Sequence, residues 1–237
     1  MMRAESWRLV RFVWAAVSVI VLETILLGIS VAPVVAFLQW QSTWVLTDAV
    51  RIGLLSLAVV PLYLLFAAIL IVVSPLATRL LGWRTPDNVT MRLTDFEWPV
   101  LAWGRYLMTI HVVRVFAGPA FRSTPFWSLY LRLNGARIGR LVWVNSLAVM
   151  DHNLLELDDD VVIGSDVHLS GHTVEHGMLC TARVHLQRGT VVGVGTVLGI
   201  GVTTGVGTQV GALSVVPKFA TLDGGASYAG APVRRVS

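Results

Sequence analysis

A beat of six residues governs the second half of this chain. Val192-Gly193, Leu198-Gly199, Thr204-Gly205 and Val210-Gly211 stand six apart, with Cys180 and Leu186 in phase before them and Val216 after. Earlier runs keep the interval at Ile138-Gly139, Val144 and Met150, and again at Leu157, Ile163-Gly164 and Leu169. An amphipathic helix repeats every ~3.6 residues and a half-buried strand every ~2, so neither produces this pattern. It is the period of a β-solenoid, in which three units of short strand and turn close a triangular coil of roughly 18 residues. One aliphatic side chain per unit points inward, and the Gly or small residue after it permits the turn. Thr190, Thr196, Thr208 and Ser214, four places on from the inward residues, are expected to fill the corners. The expectation is an all-β left-handed parallel β-helix over residues 135–218, of about four coils. A β-sandwich with Gly-rich turns is the competing fold, but its turns would be spaced less regularly. The phase slips by one residue near Leu155–Leu157 and slips back across Gly171–Met178, so a loop over 171–178 is expected to protrude.

The first part of the chain obeys other rules. Phe12 to Leu38 contains one charged residue, Glu23, and Ile52 to Thr78 contains none. Each run exceeds the ~20 residues needed to cross a bilayer, and Pro33 and Pro61 are tolerable in membrane helices. Residues 1–82 are therefore expected to form a helical hairpin with spans at about 12–38 and 52–78. The first apolar run is too long for a signal peptide, and a second follows closely. Arg3, Arg8 and Arg11 precede the first span and Arg79, Arg84 and Arg92 follow the second, while the connection between them carries only Asp48 and Arg51. The positive-inside rule then places both termini and the solenoid on the cytoplasmic side of the cytoplasmic membrane. Glu23 lies near mid-span and reads either as a functional group or as a neutral acid bonded between helices. No ionisable residue in the other span could complete a relay with it.

Residues 83–134 are expected to be a linker, Trp83–Thr90, followed by short interfacial helices. Trp98, Trp103, Tyr106, Phe116, Phe121, Phe126, Trp127 and Tyr130 alternate there with Arg105, Arg114, Arg122 and Arg132, a mixture suited to the headgroup layer and to membrane lipids. Pro99, Pro119 and Pro125 divide the region. The same helices could instead simply pack the end of the solenoid against the membrane. The net charge of +4 rests on Arg residues spread through the membrane-flanking half, without the clustered basic face of a nucleic-acid binder, so no nucleic-acid partner is expected. A single cysteine, Cys180, excludes an internal disulfide and a Cys-based metal site, and its phase makes it an inward core residue.

Chemistry is sought where the beat breaks. His168, His172, His176 and His185 lie close in sequence. In one reading His172 is a general base, since imidazole titrates near neutral pH and can take a proton from an attacking amine or hydroxyl. Its other nitrogen needs an orienting acceptor, for which Glu175 is available three residues on. In a second reading His168, His172 and His176 bind zinc, as three histidines do between subunits of the γ-class carbonic anhydrases. A four-residue spacing aligns ligands only on a helix, and this segment is strand and loop, so no metal is expected. In a third they are solvated loop residues, the reading preferred for His176 and His185. Asp158, Asp159 and Asp160 read as a solvated charged face. Asp151-His152 is a weak dyad candidate with no geometry behind it. Lys218 follows the last coil, and Tyr228-Ala-Gly-Ala-Pro-Val-Arg-Arg closes a C-terminal tail over 219–237; Lys218, Arg234 and Arg235 could pair with phosphates of a pantetheine-bearing donor, or be solvated basic residues.

Hexapeptide coils, a His in an extruded loop and a terminal Gly-x-Pro followed by Arg resemble the hexapeptide-repeat acyltransferases. The chain is most similar to the membrane-bound C-terminal region of poly-ε-lysine synthetase-like nonribosomal peptide synthetases, where spans alternate with hexapeptide domains. The matching stretches are His172-Thr-Val-Glu175, Thr190-Val-Val-Gly193, Gly211-Ala-Leu-Ser-Val-Val-Pro-Lys218 and Tyr228-Ala-Gly-Ala-Pro232. The resemblance implies transfer of an acyl or aminoacyl group from a thioester to an amine or hydroxyl, with His172 as base and Glu175 as its partner. It also implies a donor site near Gly230 and Pro232. The chain has no adenylation or carrier domain, so the thioester would come from coenzyme A or from a separate phosphopantetheinyl carrier protein, with an adenylation enzyme as a further partner. It has one hexapeptide domain where the synthetases have tandem copies, so a homotrimer with sites between subunits is expected. The rival class is a non-catalytic trimeric scaffold at the membrane.

Overall fold

A computed structural model describes residues 2–237, with side chains from Ser6 onward; Met1 and the side chain of Arg3, which the orientation argument uses, lie outside the described residues. Two long helices come first, α1 (Met2–Ser42) and α2 (Asp48–Leu80). Arg51 ties their connection by bonding the Trp44 carbonyl at 3.0 Å and Gln41 Oε1 at 3.3 Å. Both helices are long and apolar enough to cross a membrane. Large apolar side chains such as Ile20, Leu57, Val59 and Val60 point outward along them. Glu23 is half-buried and its Oε1 has no hydrogen-bond partner.

Three further helices follow, α3 (Trp98–Phe116), α4 (Gly118–Phe121) and α5 (Pro125–Leu133). Each has its proline, Pro99, Pro119 or Pro125, in the first turn, where a missing N–H costs nothing. These helices pack between the two long helices and the β domain rather than lying free. Tyr106, Ile110 and Val113 of α3 and Trp127, Tyr130 and Leu131 of α5 are buried in one core with Leu70 and Ile71 of α2. Trp127 Nε1 donates to the Ser146 carbonyl at 3.1 Å, fixing α5 to the first coils.

The β domain is a parallel solenoid with three faces, whose sheets have six, three and five strands. Strands stack one coil apart: Val192 pairs with Val210, Leu198 with Val216, and Thr204 with Leu222. Inward residues form three buried columns, Ile163-Val192-Val210, Leu169-Leu198-Val216 and Leu157-Leu186-Thr204. The glycine after an inward residue lies against the next coil: a Cβ on Gly199 would sit 2.6 Å from the Lys218 backbone nitrogen. Thr190, Thr196, Thr208 and Ser214 are fully buried at the corners, and Thr196 Oγ1 donates to the Gly211 carbonyl at 2.9 Å.

Three details depart from the sequence reading. The ladder runs past residue 218 through Leu222 and Tyr228, whose side chains continue the beat inward without a following aliphatic-Gly pair to advertise it. The protrusion at 171–178 is an ordered β-hairpin, described below. Cys180 lies on that hairpin, half-exposed, with Sγ 3.7 Å from Thr90 Oγ1; the two-residue alternation of the hairpin turns Leu179 and Thr181 inward instead. The six-residue beat resumes only at Leu186. That side chain is fully buried, so Leu186→Ala is expected to cost about 2–5 kcal/mol. The measurement is the thermal midpoint in detergent, and an unchanged midpoint would show that the column collapses around the loss.

Candidate active site

After inward Leu169 the chain leaves the coil. His172–Glu175 and Met178–Thr181 pair antiparallel, with Glu175 opposite Met178. The two residues between them, His176 and Gly177, both have positive φ (49° and 75°), as a tight type I′ turn requires. The linker supplies a third strand, Thr90–Arg92, antiparallel to Met178–Thr181. Further bonds run from Thr181 N to the Val89 carbonyl at 2.9 Å and from Leu93 N to the Gly177 carbonyl at 3.0 Å. The segment that follows α2 therefore holds the hairpin.

At the hairpin's root a buried carboxylate meets a histidine. Asp151 sits in the left-handed region (φ 54°, ψ 46°), which Asp tolerates better than most residues. Its side chain is wholly buried. Oδ1 accepts from Thr85 Oγ1 at 2.6 Å. Oδ2 accepts from Ser170 Oγ at 2.9 Å, from the Gly171 amide at 3.1 Å and from His172 Nδ1 at 2.5 Å. Burial pushes the Asp151 carboxyl up, but the bond to His172 and its charge, with the Thr85 and Ser170 hydroxyls, outweigh burial and hold it below the usual carboxylate range. An ionised carboxylate only accepts, so Nδ1 of His172 donates to it, and in the neutral ring Nε2 is the nitrogen that keeps its lone pair. The His172 side chain is 15% exposed, and the Trp103 ring of α3 lies edge-on against it with centroids 5.0 Å apart. Gly171 is required by this packing, since a Cβ there would sit 2.8 Å from Leu154 Cβ and 3.2 Å from Asp151 Cβ.

The other sequence candidates are arranged differently. Glu175 does not reach His172. It lies at the far end of the hairpin strand, where both carboxylate oxygens accept from Lys218 Nζ at 2.5 Å. That ion pair lowers the Glu175 carboxyl, through the Lys218 hydrogen bond first and its charge second. The orienting acceptor is Asp151, not Glu175, because the hairpin strand separates residues three apart while the coil brings Asp151 beneath Gly171. Asp151 in turn does not pair with adjacent His152. That ring is buried, with Nδ1 3.0 Å from Tyr106 Oη and Nε2 3.1 Å from the Val149 carbonyl. Burial pushes His152 down to about 4, so it is neutral and joins α3 to the β domain. Lys218 is committed to Glu175. Arg234 lies on an exposed terminal strand paired with Ala229, and the Gly230 amide donates to Ser214 Oγ at 3.2 Å, beside Pro232.

His168 points outward from its coil; burial first, and the nearby His172 charge second, lower its pKa. His176 is exposed at the turn. His185 lies on a coil strand and bonds Asp158 Oδ1 at 3.1 Å, so it is not a loop residue. Asp159 pairs with Arg140 on the surface. Among the described residues, no three His, Cys, Asp or Glu side chains converge as metal ligands would.

No protein-family profile matches the sequence. Delta-poly-L-ornithine synthetase from Acinetobacter baumannii (strain AB307-0294) is 41% identical over 66 residues, which cover 28% of this chain and 5% of that protein. The chain thus matches only a small fraction of that relative's length. Among solved structures, a hexapeptide-repeat-containing acetyltransferase from Vibrio cholerae is 20% identical with a TM-score of 0.38, covering 44% of this chain and 62% of that one. Galactoside acetyltransferase in complex with coenzyme A is 21% identical with a TM-score of 0.39, covering 47% and 69%. A maltose O-acetyltransferase from Clostridium difficile 630 is 18% identical with a TM-score of 0.38, covering 44% and 59%. The parallel-strand β domain resembles hexapeptide-repeat acetyltransferases.

Proposed function

We propose that this protein is a membrane-anchored acyltransferase that moves an acyl or aminoacyl group from a thioester to an amine or hydroxyl acceptor. The observation that carries the reading is the bond between wholly buried Asp151 and His172, which leaves a single imidazole nitrogen to act as base. His172 Nε2 removes the proton from the acceptor as its nitrogen or oxygen attacks the thioester carbonyl. Asp151 offsets the positive charge that develops on the ring. Backbone amides of the coils stabilise the tetrahedral oxyanion. Collapse expels the thiolate, which recovers the proton from His172, so the base is regenerated and no covalent enzyme intermediate forms.

The donor is coenzyme A or a phosphopantetheinyl carrier protein. Its phosphates pair with Arg234 beside Gly230 and Pro232, and with Lys218 once the Glu175 contact opens. The functional unit is a homotrimer. Outward apolar side chains on the coils, Leu141, Trp143, Val197, Leu213 and Val215, suit contact between copies. The solenoid faces the cytoplasm and the acceptor arrives at the membrane surface.

The test is free-thiol release by the purified full chain in detergent. Acetyl, longer-acyl and aminoacyl thioesters, each as coenzyme A and as carrier-protein conjugates, are combined with amine and alcohol acceptors. Acceptor-dependent release with one donor class is expected. Background release with every donor and acceptor would instead leave a non-catalytic scaffold.

A further inference from the structure

A cleft of about 980 Å³ opens between the end of α2, the Trp83–Pro86 linker, the start of α3 and the first coils. Four arginines line it, Arg79, Arg84, Arg137 and Arg183, against one acid, Asp87. Arg183 is paired with Asp87 at 2.8 Å, and Arg137 with Glu156 at 2.8 Å. Arg79 and Arg84 are exposed and have no ion pair among the described residues. Behind the wall, the Arg105 guanidinium lies between the faces of Trp83 and Trp98, 5.3 and 5.4 Å from their centroids. Its Nε and Nη2 are buried with no acceptor. The cleft therefore carries surplus positive charge that the protein does not neutralise.

Its place at the end of an apolar helix points to what would. Thr78 and Arg79 form the last turn of the second apolar helix, and both line the cleft, as do Trp83 and Trp98. Arg and Trp at the end of a span mark the headgroup layer, where the anions are lipid phosphates. Arg presents a planar fork that matches phosphate oxygens. We propose that this cleft binds the phosphate of an anionic membrane-lipid headgroup, with Arg79 and Arg84 as its ligands; the proposal rests on the membrane-anchored reading above.

An occupant would touch the support of the dyad. Thr85 and Asn153 line the cleft. Asn153 Nδ2 donates to the Thr85 carbonyl at 2.9 Å, its Oδ1 accepts from the Thr85 amide at 3.2 Å, and Thr85 Oγ1 donates to Asp151. Lipid bound at Arg84 would thus steady the residue beside it that holds the Asp151 carboxylate.

The experiment is calorimetric titration of the purified full chain, in neutral detergent, with short-chain phosphatidylglycerol, short-chain phosphatidylcholine and inorganic phosphate. Saturable binding of phosphatidylglycerol is expected, weakened roughly 10- to 100-fold in Arg79→Gln/Arg84→Gln by loss of two arginine charges at an anionic headgroup. An unchanged thermal midpoint confirms that the exposed substitutions leave the fold intact. Inorganic phosphate binding as tightly as the lipid would overturn the lipid source. Equal binding of phosphatidylcholine, or equal binding by wild type and variant, would overturn the site. None of these arms reads transferase activity, so the outcome is independent of the dyad's role.

Discussion

His172→Ala is expected to lower the turnover of acceptor-dependent thiol release by about 10²–10⁴-fold, the range that a positioned general base contributes. The fold should survive the change. His172 stands on a hairpin outside the three inward columns, and its removal leaves Asp151 still accepting from Thr85, Ser170 and the Gly171 amide. Loss of the His172 partner costs the buried carboxylate stability, which the three remaining donors limit. Circular dichroism and the size of the detergent-solubilised particle therefore provide the control. The decisive quantity is turnover at saturating donor and acceptor, because lost proton transfer lowers kcat, while lost contact with an uncommitted substrate raises KM. A variant with wild-type turnover would remove His172 from the chemistry and return the loop histidine to a structural role.

Much of this architecture is legible in the residues, for a physical reason. A solenoid repeats one local rule, so Val192, Leu198, Val210 and Val216 declare their own burial and stacking through their spacing alone. The two long apolar helices are equally plain, because long uncharged runs declare themselves in the sequence. The candidate site was legible only in half. The break in the beat marks His172, but proximity in sequence misdirects its partner to Glu175. In a coil, residues one turn apart lie on top of each other, and the bridge between Val149 and Leu169 puts Asp151 beneath Gly171. The acid for a coil histidine is thus to be sought about 18 residues back, with allowance for slips of phase. Asp151 was visible as a residue of interest, paired with the wrong neighbour. Thr85 and Trp103 left no sequence signal, since they reach the dyad from the linker and α3, whose packing against the solenoid no local period encodes. Cys180 misleads for the opposite reason: it falls on the six-residue beat by coincidence, within a hairpin that obeys a two-residue one.

Asp151→Asn tests the other half of the dyad, and its effect should approach that of losing the base. The substitution keeps size and shape but removes the charge that offsets the imidazolium formed as His172 takes a proton. If the amide nitrogen faces His172, it also imposes the wrong tautomer, with the proton on Nε2 where the lone pair is needed. A fall in kcat of about 10²–10⁴-fold is expected, with KM for the donor little changed. The pH dependence of stability separates this catalytic loss from a merely structural one. Asp151 is held below the unfolded carboxylate value of ~3.9. Its stabilising contribution is therefore fully present above that value and disappears as pH falls through the lower folded value. Thermal midpoints of wild type and Asp151→Asn should differ most at pH 5 and above, and should converge on acidification below ~4. A constant difference across this range would mean that the carboxylate is not the ionised partner the geometry requires. Convergence together with unchanged turnover would leave Asp151 as a support for the hairpin and His172 as a base that works without it.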